Sequence, residues 1–495
     1  MKRFFIAAFS LLALLASCND PNEGNDPQSK KPTQEQIDSL LQATFRQECP
    51  INYTINKSEQ LTKDEMADFI FGPAGANSDE GVEEARKRYL ERCGEIEDSM
   101  ANALSMNAFT LIFEKINYNY QTIDQNGDPI TLSAFMGFGE YLWFSGYEPL
   151  DQDHIYLCCP YTHTKEDECA TADKGGYEFS LLMGDNLFIM PDGQGFGTNK
   201  NHDQMYLNHE LQARQIYDAL MAGKSIYEND WEGKFEKDWT LRVIGASQGA
   251  GDAIAVHKYL DTQCYYPDEV IDVFMKLYEA FGFSAANCEN LRQQMKNVKC
   301  AEALNFEYSY AACGPYCPKA TLEQYYLWGQ MSYPCVFPLI IKSFLASDAA
   351  ARAKYTEDRF YSDLYNANKA YFDEVYLKKT LNSDDLNKEI RKRLKVGSEK
   401  EAPEALPLDR ILSAEALDTN SEMYADIAAW LDKQDLTKGW TPRTKTYLYY
   451  SKADEVVPYV NTIKLMELFG SKCSAEEAFW KGHVACCEQF MLKPW

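Results

Sequence analysis

Gly245-Ala246-Ser247-Gln248-Gly249 is a GxSxG pentapeptide, the pattern of a nucleophile elbow, where a serine on a sharp strand-to-helix turn projects its hydroxyl from a sheet. Glycines two positions to either side leave out side chains that would clash in so tight a turn. Leu241, Val243 and Ile244 supply a strand before it, and Ala250 to Leu260 supply helical residues after it. A serine hydroxyl is a weak nucleophile until a base takes its proton. Only His257 and His483 follow Ser247. His257 lies on the helix leaving the elbow and points away from the serine, as a core or helix-surface residue. His483, in Lys481-Gly482-His483, falls in a loop after the last strand and is the expected general base. Between them, Tyr447 to Tyr450 forms a strand that runs into Ser451-Lys452-Ala453-Asp454-Glu455-Val456-Val457-Pro458. Asp454 is thereby placed to hold the imidazole tautomer and stabilise the imidazolium. Glu455 competes for that role, although its side chain should point elsewhere.

The order serine, acid, histidine is that of the α/β hydrolases. An acyl-transfer site also needs two backbone donors for the developing oxyanion, one of them the amide after the nucleophile, here Gln248. Asp192, in Pro191-Asp192-Gly193-Gln194-Gly195, precedes the serine among glycines and is expected to be structural. His202 and His209 have no complementary ligands at metal spacing, and the chemistry needs neither metal nor organic cofactor. Tyr325, Tyr326, Trp328 and Tyr333 read as packing rather than a sugar platform.

The elements that must position these residues follow from pattern. Asn126-Gly127 between two β-rich runs marks a hairpin. Strand-like runs within His154–His163, Asp185–Gly197, Trp239–Gly249 and Ala303–Cys317, and the strand Tyr447–Tyr450, are separated by polar or helical stretches. That alternation implies an α/β fold with a mostly parallel central sheet and helices on both faces. Residues 34–106 read as an N-terminal helical extension, and 107–495 as the α/β-hydrolase domain, interrupted by a mostly helical cap insertion over 318–439.

Residues 1–17 carry a basic start, a short apolar run and small residues, the layout of a secretory signal. Leu15-Ala16-Ser17-Cys18 resembles the bacterial lipobox, which implies lipid attachment at Cys18 and a protein held at a membrane of the bacterial envelope, facing periplasm or exterior. Residues 18–33 read as a flexible tether. A net charge of −26 argues against nucleic acid. Fifteen cysteines without paired CxxC spacing favour a few disulfides over a metal site.

GASQG, then ADEVVP, then a late Gly-His, with PDGQGFG upstream, resembles the secretory lipase family of α/β hydrolases over about Phe109 to Trp495. The resemblance implies Ser247, Asp454 and His483 as the triad and 318–439 as a cap over the acyl site. It matches His163 to the histidine of a His-Gly pair, which would make the Thr164 amide the second oxyanion donor. The expected activity is hydrolysis of a carboxylic ester, of a lipid or an acylated glycan. The same residues also fit two other readings: a serine peptidase on the same fold, and a non-catalytic surface protein that binds lipid or glycan.

Overall fold

The computed structural model describes residues 51–71, 80–103, 110–143, 146–172, 186–280, 283–395 and 404–491. The signal segment, Cys18 and the tether lie outside the described residues, and Asn52–Trp495 forms one unit.

The β-branched and aromatic runs become strands: β1 (Tyr53–Thr62), β2 (Leu111–Ile123), β3 (Pro129–Trp143), β4 (Gly146–Pro149), β5 (Gln152–Cys159), β6 (Asn186–Pro191), β7 (Phe235–Ala246), β8 (Phe306–Ala312), β9 (Gln330–Met331), β10 (Leu406–Pro407), β11 (Lys445–Tyr450) and β12 (Cys473–Glu477). Apart from β9 and β10 they join one sheet in the order β1-β2-β3-β6-β5-β7-β8-β11-β12, with β4 on β3. From β6 to β12 every neighbouring pair is parallel. The β1–β3 edge is antiparallel. The central strands read as continuous apolar runs because both faces are covered; Ile155 to Cys159 of β5 are all buried. The expected hairpin joins β2 to β3, with Gly127 at φ 84° closing its turn.

Each face has its own helices. Phe113 of β2 packs with Met66, Ile70, Tyr89 and Cys93 from α1 (Lys63–Phe71) and α2 (Glu80–Ala103). Tyr118, of opposite parity and so on the opposite face, donates its hydroxyl to the Ala219 carbonyl of α3 (His209–Asn229) at 2.8 Å. α4 (Gln248–Thr262) leaves the elbow.

The N-terminal segment departs from expectation. Tyr53–Thr62, inside the region read as a helical extension, is a strand that pairs with β2 from Tyr53↔Tyr120 to Thr62↔Ile112. It forms the outer edge of the sheet, and Lys57 and Glu59, at the parity of Tyr53, Ile55 and Leu61, hide the strand period in its sequence YTINKSEQLT. α1 and α2 are helical as read, yet they bury their apolar faces in the core of the sheet rather than extending from it.

Among the described residues from Pro318 to Lys433 the insertion is mostly helical, with β9 and β10 as a short antiparallel ribbon. It builds a core of its own from Leu339, Phe344, Tyr365, Phe372, Ile390 and Trp430. Polar contacts dock it beside the site: the Tyr325 hydroxyl donates to the Val456 carbonyl, and the Cys317 amide to Asn461 Oδ1 at 2.8 Å.

Candidate active site

Ser247 sits at the junction of β7 and α4 with φ 54° and ψ −123°. A non-glycine residue in this region costs roughly 1–3 kcal/mol and persists only where its surroundings hold it. Two contacts do so: the Ser247 amide donates to the Ala312 carbonyl of β8 at 2.8 Å, and the Ser247 carbonyl accepts from the Ala250 amide at 3.0 Å. The flanking glycines have a direct reason. A Cβ on Gly245 would lie 2.1 Å from the Gly249 carbonyl oxygen, and one on Gly249 would lie 2.2 Å from that of Cys159.

His483 opens α5 (His483–Met491), just after β12. Its Nε2 lies 2.8 Å from Ser247 Oγ and its Nδ1 lies 2.8 Å from Asp454 Oδ2. A carboxylate accepts only, so Nδ1 carries a proton toward Asp454; in the neutral ring this leaves Nε2 as the acceptor that faces the serine hydroxyl. Asp454 is buried, in the loop after β11, and its other oxygen accepts the Val456 and Val457 amides at 2.9 and 2.6 Å. Those amides point the carboxylate at the ring. Burial works against a charged His483, but the Asp454 carboxylate outweighs it and lifts the imidazole above its usual range.

Glu455 does point elsewhere, yet it is not idle. Its carboxylate accepts the His483 amide at 3.2 Å, and Ser451 Oγ accepts the Gly482 amide at 3.1 Å. The loop after β11 thus holds both the ring and the backbone of His483. Nothing in the motif signals this second grip, because it joins residues 28 positions apart.

The other singled-out groups stay out of the site. Asp192 accepts the Ser133 hydroxyl at 2.5 Å and the Thr171 amide and hydroxyl at 2.8 and 2.6 Å, a structural tie across the end of β6. His257 is in the core, its Nδ1 2.7 Å from Ser309 Oγ and its ring edge-on to Phe306, Trp440 and Phe469. His209 Nδ1 lies 2.8 Å from the Gln434 carbonyl, and His202 is exposed.

The sequence matches no protein-family model and no curated protein. Among solved structures, the rice cell wall degrading esterase LipA from Xanthomonas oryzae is similar over 89% of this chain and 96% of that chain, at TM-score 0.59 and 14% identity. A second structure, from Legionella pneumophila, is similar over 89% of this chain and 94% of that chain, at TM-score 0.54 and 15% identity. The fold is that of the α/β hydrolases.

In an α/β hydrolase the oxyanion donors come from the elbow and from the loop after an earlier strand. Gln248 is the first residue of α4, where an amide has no carbonyl behind it within the helix. Thr164 is a different matter. Its amide donates to Glu168 Oε2 at 3.1 Å and its hydroxyl to the Leu381 carbonyl at 2.8 Å. Both donors are committed, so the structure does not offer Thr164 as the second oxyanion donor. Glu168 lies only four residues on and collects the Lys165 amide as well, at 2.9 Å, which turns the loop inward at that point. His163 is buried between Tyr161 and Phe196, with ring centroids at 4.6 and 5.8 Å.

Proposed function

We propose that this protein is a serine hydrolase that cleaves carboxylic esters through an acyl-enzyme. The observation that carries the reading is the unbroken chain Ser247–His483–Asp454, with Ser247 on a strained turn at the end of β7. Ser247 Oγ attacks the ester carbonyl carbon while His483 Nε2 takes its proton. The oxyanion so formed faces the Gln248 amide at the start of α4. His483 then returns the proton to the departing alcohol, and a water activated by the same nitrogen releases the acid. Asp454 keeps the ring oriented and supports its positive charge.

An ester rather than an amide is favoured by the esterase among the similar structures and by the lipase-like order of motifs. The insertion after Pro318 shapes the acyl or alcohol side of the site. The signal-like start and Cys18 support anchoring by lipid in the bacterial envelope, and Cys18→Ala is expected to move the protein from the membrane fraction to the soluble one.

The deciding measurement is turnover of nitrophenyl esters of rising acyl length, of acetylated and feruloylated glycans and of aminoacyl anilides, by wild type and Ser247→Ala, with fluorophosphonate labelling in parallel. Ester turnover and labelling that both vanish in Ser247→Ala support the proposal. Anilide turnover above ester turnover would make the protein a peptidase, and a folded wild type that takes no label would make it a binding protein.

A further inference from the structure

All thirteen described cysteines are thiols, and three of them meet beside the triad. Cys313 follows β8 with φ 53°, an uncommon conformation for a residue with a side chain, and its amide donates to the Tyr449 carbonyl at 3.0 Å. Cys486 and Cys487 lie one turn into α5, the helix that His483 opens. Cys313 Sγ is 2.8 Å from Cys486 Sγ, and all three side chains are buried. A disulfide holds its sulfurs at about 2.05 Å. Cys313 and Cys486 therefore need a shift of less than about 1 Å to bond, although 173 positions separate them.

The same cluster offers Cys313, His483 and Cys487 as soft ligands within 4.8 Å of one another. The disulfide fits better than a metal. Both ring nitrogens of His483 are already engaged, by Asp454 and by Ser247, so an ion there would break the serine–histidine contact. The Cys313–Cys486 bond leaves that contact untouched.

We propose that Cys313 and Cys486 form a disulfide that staples the helix carrying His483 to the end of β8 beside the elbow. The oxidant is a disulfide-bearing carrier. One protein thiolate attacks a carrier sulfur and expels the carrier's first thiolate. The second protein thiolate attacks the mixed disulfide at the protein sulfur and expels the other carrier thiolate. The two protein sulfurs are oxidised, the carrier disulfide is reduced, and the two thiol protons pass to the carrier. Cys313 links to Ser247 through β8, since Ala312 accepts the Ser247 amide. The staple thus joins the strand that supports the nucleophile to the helix that supports the base. That consequence for catalysis rests on the function proposed above; the bond itself does not.

The test uses the full chain, incubated with oxidised or with reduced dithiothreitol, alkylated in denaturant and mapped as non-reduced peptides. The expected result is a peptide pair joined through Cys313 and Cys486 in the oxidised sample only. With it should come a thermal midpoint at least about 4 °C above that of the reduced protein, because closing so long a loop restrains the unfolded chain. Cys486→Ala should abolish that difference; if the variant does not fold, mapping and melting of wild type stand without it. Alkylation of both Cys313 and Cys486 in the oxidised sample, a bridge to another cysteine, or zinc retained at one equivalent by Cys313, His483 and Cys487 would each overturn the proposal. Ester turnover is measured on the same samples. A mapped bridge without turnover sinks the function and keeps the staple; turnover without a bridge sinks the staple alone.

Discussion

Two buried histidines sit at the carboxyl edge of the sheet, His163 in the loop after β5 and His483 at the start of the helix that follows β12, and their exposures are nearly equal at 3% and 4%. Their chemistry is opposite. His163 has two aromatic rings standing perpendicular to it and no hydrogen-bond partner at Nε2, and burial pushes its imidazole down to about 3. His483 has a carboxylate at 2.8 Å on one nitrogen and a serine hydroxyl at 2.8 Å on the other, and its imidazole is raised despite the burial. Burial alone makes a histidine inert. A base requires the partner that burial makes strong.

The largest expected effect tests that contrast directly. Ser247→Ala or His483→Ala should lower kcat for an ester by about 10⁵-fold, whereas His163→Phe, which keeps an apolar ring in an apolar slot, should change it by less than about 3-fold. A loss in His163→Phe approaching that of His483→Ala would mean the two loops are not functionally distinct. Asp454→Asn should cost about 10⁴-fold, because an amide no longer enforces the productive tautomer. The pH profile sharpens this. The raised imidazole in wild type means that neutral base accumulates only as pH climbs past the ordinary histidine range, so kcat/KM should rise with pH into the alkaline region. In Asp454→Asn the same limb should move to lower pH.

Glu455 comes next in size. Removing its acceptor from the His483 amide in Glu455→Ala should lower kcat by about 10-fold with KM little changed, since the backbone that carries the ring loses a hold. Glu455→Gln retains an oxygen at that place and should restore most of the rate. Equal losses in both variants, or a pH profile displaced as in Asp454→Asn, would show Glu455 acting on the ring rather than on the backbone.

The same two loops show what was legible in the sequence. The elbow is contiguous: strand, serine and helix lie within Leu241 to Leu260, and the glycines that make the turn possible are inside the motif. Asp454 was readable because a strand ends just before it and its own loop amides hold it. The loop after β5 was not, because the contact that decides it is a carboxylate four residues past Thr164, with no motif attached. Tyr53–Thr62 escaped for another reason. Lys57 and Glu59 stand at the same parity as Tyr53, Ile55 and Leu61 and break the apolar alternation that marks a strand. The thiols around His483 could not be seen together at all, since Cys313 and Cys486 meet only after 173 intervening residues have folded.

The smallest effects belong to stability rather than rate, and there the two histidines differ in sign. His163, with a depressed imidazole, is neutral in the folded protein, while the unfolded chain takes up a proton below about pH 6.5. Stability therefore falls as pH drops below that value, by roughly 2 kcal/mol between pH 7 and pH 5 for one such histidine. His209, held down to about 4 by burial that outweighs its hydrogen bond to the Gln434 carbonyl, adds to the same trend. His483 runs the other way: the folded protein holds its proton more tightly, so that contribution is complete below about pH 6.5 and is lost as pH rises through the elevated folded value. Urea midpoints across pH 5 to 9 separate the two. His163→Phe should flatten the acid side of the profile and leave the alkaline side unchanged; His483→Gln should do the reverse. A His163→Phe profile as steep in acid as that of wild type would mean that His163 charges in the folded protein, and the contrast between the loops would then rest on Asp454 alone.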